Sequence, residues 1–199
     1  MAFFKIVDKD EMGNKIEYKT ADDLYGLINY VIKNSKYIDT RNMHMCGSDT
    51  YVHQFLYTQS CKGAELKKRA LHCILSFDTA EWERNMSEDK VYRCIGILCD
   101  VADRFGIENH QCVFGLHANT QHLHLHIVLN PVNLVTKKII HFGPHQLEEF
   151  RKELAKDLYM LYHIALEGTS YIREDGRMSY GKDNIGLYEN YMFSWEKTS

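Results

Sequence analysis

Between His122 and Leu129 the chain runs His122-Leu123-His124-Leu125-His126-Ile127-Val128-Leu129, and this alternation of imidazole with aliphatic side chains constrains the fold more than any other stretch. A helix would scatter these residues around its axis. In a strand, successive side chains point to opposite faces, so His122, His124 and His126 share one face while Leu123, Leu125, Ile127 and Leu129 share the other. The segment is expected to be a strand with one face on a core and the other displaying histidines. His117 lies across a short connection, which brings four of the chain's eleven histidines into ten residues. A neutral imidazole is the commonest metal ligand, and neighbours on one strand face can chelate an ion with a third ligand from an adjacent element. His117 is the natural third.

The rest of the chain supplies elements to hold that strand. Residues 3–7 and 15–19 are strand-like, with Gly13-Asn14 as a hairpin turn between them. Thr20 and Asp23 have the spacing of a capping box, after which Leu24, Leu27, Ile28, Val31 and Ile32 recur at helical intervals. This first helix carries Tyr25 and Tyr30, about 140° apart around its axis. Ser48-Asp49 starts a second helix over 49–59, and 70–77 is a strand. Ser87 caps a helix that runs to Phe105 and stops at Gly106. Strands at 110–117 and 122–130 form the histidine hairpin, 135–142 is a further strand, and Gly143-Pro144 opens a helix to about Ile164. The pattern is that of a single α+β domain over 1–165, a mostly antiparallel β-sheet backed by helices. Residues 166–199, rich in Tyr, Gly and charge, are expected to be a C-terminal tail, packed on the domain or leading to another.

Composition then narrows the function. A chain of 199 residues, 45% hydrophobic, can bury a core without disulfides. Its six cysteines lack CxxC spacing, as in a reducing compartment, and Met1-Ala-Phe-Phe-Lys does not open a signal peptide, so the expected location is cytoplasmic. No apolar run approaches membrane-spanning length, and no membrane insertion is expected. The net charge of −3 excludes a global cationic field, so any contact with nucleic acid must be local.

Three chemistries suit the histidines. The run from His122 to Val128 matches the pattern of the histidine-triad nucleotide hydrolases, in which the middle His124 would attack an α-phosphate. His117, His124 and His126 could instead hold a divalent cation against a phosphodiester oxygen. Without a metal, the imidazoles would merely line a polar pocket.

Three ordered motifs resemble the relaxases, the mobilization nucleases of the HUH endonuclease superfamily. Leu27-Ile28-Asn29-Tyr30-Val31-Ile32 looks like the helical motif that presents the nucleophilic tyrosine. Leu71-His72-Cys73-Ile74-Leu75-Ser76-Phe77 looks like the second motif, where Ser76 matches a residue that handles DNA near the nick. The stretch from His117 to Asn130 is similar to His-x-Asp-x-x-His-x-His-x-His followed by Asn, with Asn119 standing where the family often has Asp. The resemblance spans residues 20–165 and implies a relaxase-like fold. It also implies metal-dependent, site- and strand-specific DNA nicking and strand transfer at an origin of transfer. Tyr30 would be the nucleophile, forming a 5′-phosphotyrosine, with Tyr25 in reserve. His117, His124 and His126 would bind Mn²⁺ or Mg²⁺, while His122, Ser76, Asn119 and Asn130 would support the ligands or touch DNA. The implied partners are single-stranded or hairpin origin DNA and the other relaxosome and coupling proteins. The alternatives are the triad hydrolase and a DNA-binding accessory protein without catalysis.

Overall fold

The Thr20 hydroxyl accepts a hydrogen bond from the Asp23 amide while the Asp23 carboxylate accepts one from the Thr20 amide, closing the expected capping box on α1 (Ala21–Lys33). The computed structural model describes residues 2–7, 15–62, 66–77, 88–118, 123–162, 164, 166–167, 171–172 and 178–179. The other elements are β1 (Ala2–Ile6), β2 (Ser35–Arg41), α2 (Ser48–Ser60), β3 (Leu71–Phe77), α3 (Glu88–Arg104), β4 (His110–His117), β5 (Leu123–Asn133), α4 (Pro144–Tyr162), β6 (Leu166–Glu167), β7 (Tyr171–Ile172) and β8 (Met178–Ser179). They divide into two units, one of residues 5–86 and 106–141, the other of 1–4, 87–105 and 142–199.

The first unit is built on antiparallel strands in the order β2-β4-β5-β3. Register sets what shares a face. His124 lies opposite His117 on β4 and Ser76 on β3, His126 opposite Gly115 and Ile74, and Val128 opposite Val113 and His72. That face continues into the core, because α1 and α2 lay Leu24, Leu27, Ile28, Val31, Tyr51, Val52 and Phe55 against Val113, Val128 and Ala70. Each such side chain, fully buried, contributes roughly 1.5–3 kcal/mol. The histidine face is therefore not the open display that alternation suggested. His117 and His126 are 0% and 2% exposed, beneath the C-terminal end of α1.

Gly115 makes that approach possible. A Cβ there would stand 2.4 Å from Val31 Cγ1 and 2.5 Å from Ser35 Oγ, so only a glycine lets the end of α1 settle on β4.

In the second unit α3 and α4 pack together, with Phe150 centred 5.4 Å from Phe4 and 5.5 Å from Phe105. Arg104 pairs with Glu153 and Asp157 across the two helices. Ala2 and Phe3 pair in parallel with Leu166 and Glu167, and β7 and β8 form a short antiparallel pair in the expected tail.

Three expectations change. Strand β2 appears where none was expected, at the edge of the sheet beside β4. Residues 15–19 form no strand, and the Gly13-Asn14 turn lies outside the described residues, as does the Ser87 cap. The run 135–142 holds a single bridge, Val132 to Ile139. There the Asn133 side chain accepts from the Val135 and Thr136 amides, and Lys137 takes a left-handed φ of 57°, so a turn displaces the strand that the apolar residues favour.

Candidate metal centre and nucleophile

His117, His124 and His126 offer one nitrogen each within 4.8 Å of one another, the group among the described residues that could hold a metal ion. Their rings meet at centroid distances of 4.2 Å (His117 to His126), 4.8 Å (His124 to His126) and 5.3 Å (His117 to His124). Adjacent antiparallel strands and opposed register produce this convergence. His117 and His124 are direct cross-strand partners, and His126 follows His124 on the same face.

The outer hydrogen bonds orient the rings. His117 Nε2 lies 2.7 Å from the Val31 carbonyl, which can only accept, so the proton is on Nε2 and the lone pair on Nδ1. That Nδ1 is buried and has no protein partner; neither has His126 Nε2. Buried polar atoms nearly always have partners, so two bare imidazole nitrogens in one cluster mark a place for a ligand. Burial, the largest influence, lowers the pKa of both rings, that of His126 to about 2. Neighbouring imidazoles and Lys5 push His126 the same way. Neutral rings are the form that binds a cation, and the donor set fits a divalent transition ion.

Tyr30 stands over this cluster. Its ring is edge-on to His117 and His126 at 5.3 Å and 5.4 Å, and it is 47% exposed. Helix α1 buries Leu27, Ile28 and Val31, which leaves Tyr30 at the boundary between core and solvent. Tyr25 is turned elsewhere. Its phenol meets Asp49 of α2, which raises its pKa, and it makes no ring contact with the histidines among the interactions described. Ser76 is half-buried on the histidine face, opposite His124. His122 and Asn119 lie outside the described residues.

Asn130 requires a correction. It is 0% exposed, and its amide group donates to Gln111 Oε1 and the Phe55 carbonyl while accepting from Gln59 and the Val132 amide. It ties β5 to α2 and β4 and is not placed to meet DNA.

Two residues near the cluster escaped sequence reasoning. His72 Nε2 lies 2.8 Å from His126 Nδ1, and the Tyr18 hydroxyl lies 3.0 Å from His72 Nδ1. Burial lowers the pKa of His72 to about 4 and raises that of Tyr18 to about 12. Strand parity carried a signal for His72, which shares a face with Ser76. Tyr18 carried none.

An antiparallel sheet that gathers histidines beneath a helix-borne tyrosine has the architecture of the HUH nucleases. Within that class the chain belongs to the MobA/VirD2-like relaxases, whose nuclease-domain model matches residues 27–160. A 69-residue segment is 35% identical to protein MobA of Acidithiobacillus ferrooxidans, covering 35% of this chain and 15% of that protein. The fold is similar to the MobM relaxase domain in a Mn-bound crystal structure with plasmid pMV158 oriT DNA at pH 4.6. There the TM-score is 0.57 at 14% identity, covering 95% of this chain and 98% of that one. A second MobM structure, with 26-nucleotide pMV158 oriT DNA, aligns with a TM-score of 0.54 at 16% identity, covering 89% and 95%. The family match displaces the histidine-triad hydrolase.

Proposed function

We propose that this chain nicks one strand of DNA at an origin of transfer and holds the cut end through Tyr30. The observation that carries the proposal is the packing of the Tyr30 ring against two imidazoles whose unpartnered nitrogens belong to one three-histidine cluster. Residues 1–165 act as the nuclease domain and 166–199 as an extension of it.

His117, His124 and His126 would hold the ion. When bound, it supplies Lewis-acid neutralisation of charge on the scissile phosphate. Three imidazoles with no carboxylate among them favour Mn²⁺ or a later transition ion over Mg²⁺. The Tyr30 oxygen attacks phosphorus, the bond to the 3′ oxygen breaks, and the 3′ end leaves as a hydroxyl after taking up a proton. The phenol gives up its proton as the new bond forms. One phosphodiester is exchanged for another, so the strand can be rejoined after transfer.

The substrate is single-stranded or hairpin origin DNA, and the working assembly includes relaxosome and coupling proteins. The proposed reaction is a cytoplasmic one. Separately, no described helix is long and apolar enough to cross a membrane. The test uses labelled oligonucleotides tiling the candidate origin, with Mn²⁺ or with EDTA. Cleavage of one strand at one position, abolished by EDTA and by His124→Ala, is expected. Undiminished cleavage by His124→Ala would overturn the assignment.

A further inference from the structure

His72 lies behind His126, not beside the bare nitrogens. The two rings stack at 24° with centroids 5.1 Å apart, and His72 Nε2 faces His126 Nδ1 at 2.8 Å. One of these nitrogens carries the shared proton, and the choice decides what His126 can do. If His72 Nε2–H donates, neutral His126 carries its own proton on Nε2. That N–H would be buried with no acceptor, and it could not bind an ion. If His126 Nδ1–H donates instead, Nε2 keeps its lone pair. His72 then bears its proton on Nδ1, where the Tyr18 hydroxyl oxygen waits 3.0 Å away and can accept it.

We infer that His72 and Tyr18 are positioning residues that order two protons outward from the metal centre and so hold His126 in the tautomer that presents Nε2 to the ion. The inference rests on the three-histidine metal site proposed above. Ligand histidines commonly donate their other N–H to a carboxylate, a carbonyl or water. Here a second neutral imidazole takes that place. Among the described residues, the charged or titratable groups acting on His72, His117 and His126 are Lys5 and the neighbouring imidazoles. His72 and Tyr18 reach the centre from separate segments, 54 residues apart in sequence, so the chain of contacts depends on the folded unit.

The experiment titrates the purified full chain with Mn²⁺, followed by electron paramagnetic resonance. Unfolding temperature serves as the check on folding. His72→Leu removes the acceptor and is expected to weaken Mn²⁺ binding about 10–100-fold. His72→Gln restores an acceptor oxygen for the His126 proton and is expected to recover most of that loss. Tyr18→Phe leaves the outer N–H without its acceptor and should give a smaller loss. In the Zn²⁺-loaded protein, ¹⁵N resonances should show His72 protonated at Nδ1 and bare at Nε2, a pattern that mere packing would not impose. Wild-type affinity in a folded His72→Leu variant, or a His72 proton found on Nε2, would overturn the inference while leaving the metal site standing. Failure of the wild-type chain to bind Mn²⁺ would overturn the metal site and this inference with it.

Discussion

Substituting Gly115 by alanine tests whether the end of α1 must touch the sheet for the site to exist. The added Cβ would lie 2.4 Å from Val31 Cγ1, 2.5 Å from Ser35 Oγ and 3.0 Å from the Val31 carbonyl oxygen. None of these atoms is the far end of a long side chain, so the helix end itself has to move. Overpacking of this kind costs about 1–3 kcal/mol. The displaced carbonyl also loses its bonds to His117 Nε2 and Ser35 Oγ, about 1 kcal/mol each, part of which water or a readjusted Ser35 recovers. A net loss of about 2–4 kcal/mol corresponds to a fall in Tm of roughly 5–15 °C for a chain of this size. Because Val31 follows Tyr30 directly, the same shift moves the proposed nucleophile, and a 1 Å misplacement can cost about 10²-fold in rate. Nicking of a labelled origin oligonucleotide with Mn²⁺, followed beside thermal unfolding, measures both effects. Val31→Ala in the Gly115→Ala background removes the tightest contact and should restore part of each, revealing coupling between the positions. Wild-type Tm and rate in Gly115→Ala, with no coupling to Val31, would refute the reasoning.

Two other perturbations follow from the buried polar groups. Asn130→Ala strands Gln111, Gln59 and the Phe55 carbonyl inside the protein and should destabilise it by about 2–4 kcal/mol, measured by urea unfolding; a loss below 1 kcal/mol would mean that water replaces the amide. The depressed pKa values of His72 and His126 make the metal-free protein acid-sensitive, because below the ordinary value near 6.5 the unfolded chain takes up protons that the native rings refuse. Stability is then complete above pH 6.5 and falls with pH, through about 4 for His72 and towards 2 for His126, by up to roughly 1.4 kcal/mol per pH unit for each ring. Urea midpoints between pH 7.5 and 4.5 measure the slope, and a flat profile would contradict the burial of neutral imidazoles.

Local signals made much of the fold legible. The alternation at 123–129, the Thr20–Asp23 box, and Gly106 with its left-handed φ of 77° after α3 each act within a few residues, and the chain obeys them. Strand β2 was hidden because Ser35-Lys36-Tyr37-Ile38-Asp39-Thr40-Arg41 is largely polar and, apart from the exposed Lys36, half-buried, as an edge strand can be. The strand expected at 135–142 shows the converse, where β-branched residues lost to the turn set by Asn133. In the candidate site, strand parity and spacing were enough to group His117, His124 and His126. What could not be read was the cover over them. The face pattern of β5 says which side the histidines take, but not that α1 closes on that side, because this depends on Gly115 meeting Val31 across 84 positions. For the same reason Asn130 looked available to DNA, although four long-range and local bonds consume its amide.

The most direct test of the account is to locate the covalent bond to DNA. The chain is incubated with Mn²⁺ and an origin oligonucleotide, digested with protease and nuclease, and examined by mass spectrometry for a nucleotide-bearing peptide. The account predicts a 5′-phosphonucleotide on the phenol of Tyr30, a free 3′-hydroxyl on the released strand, and no adduct from Tyr30→Phe. An adduct on Tyr25 or on a histidine, or one formed equally by Tyr30→Phe, would contradict it.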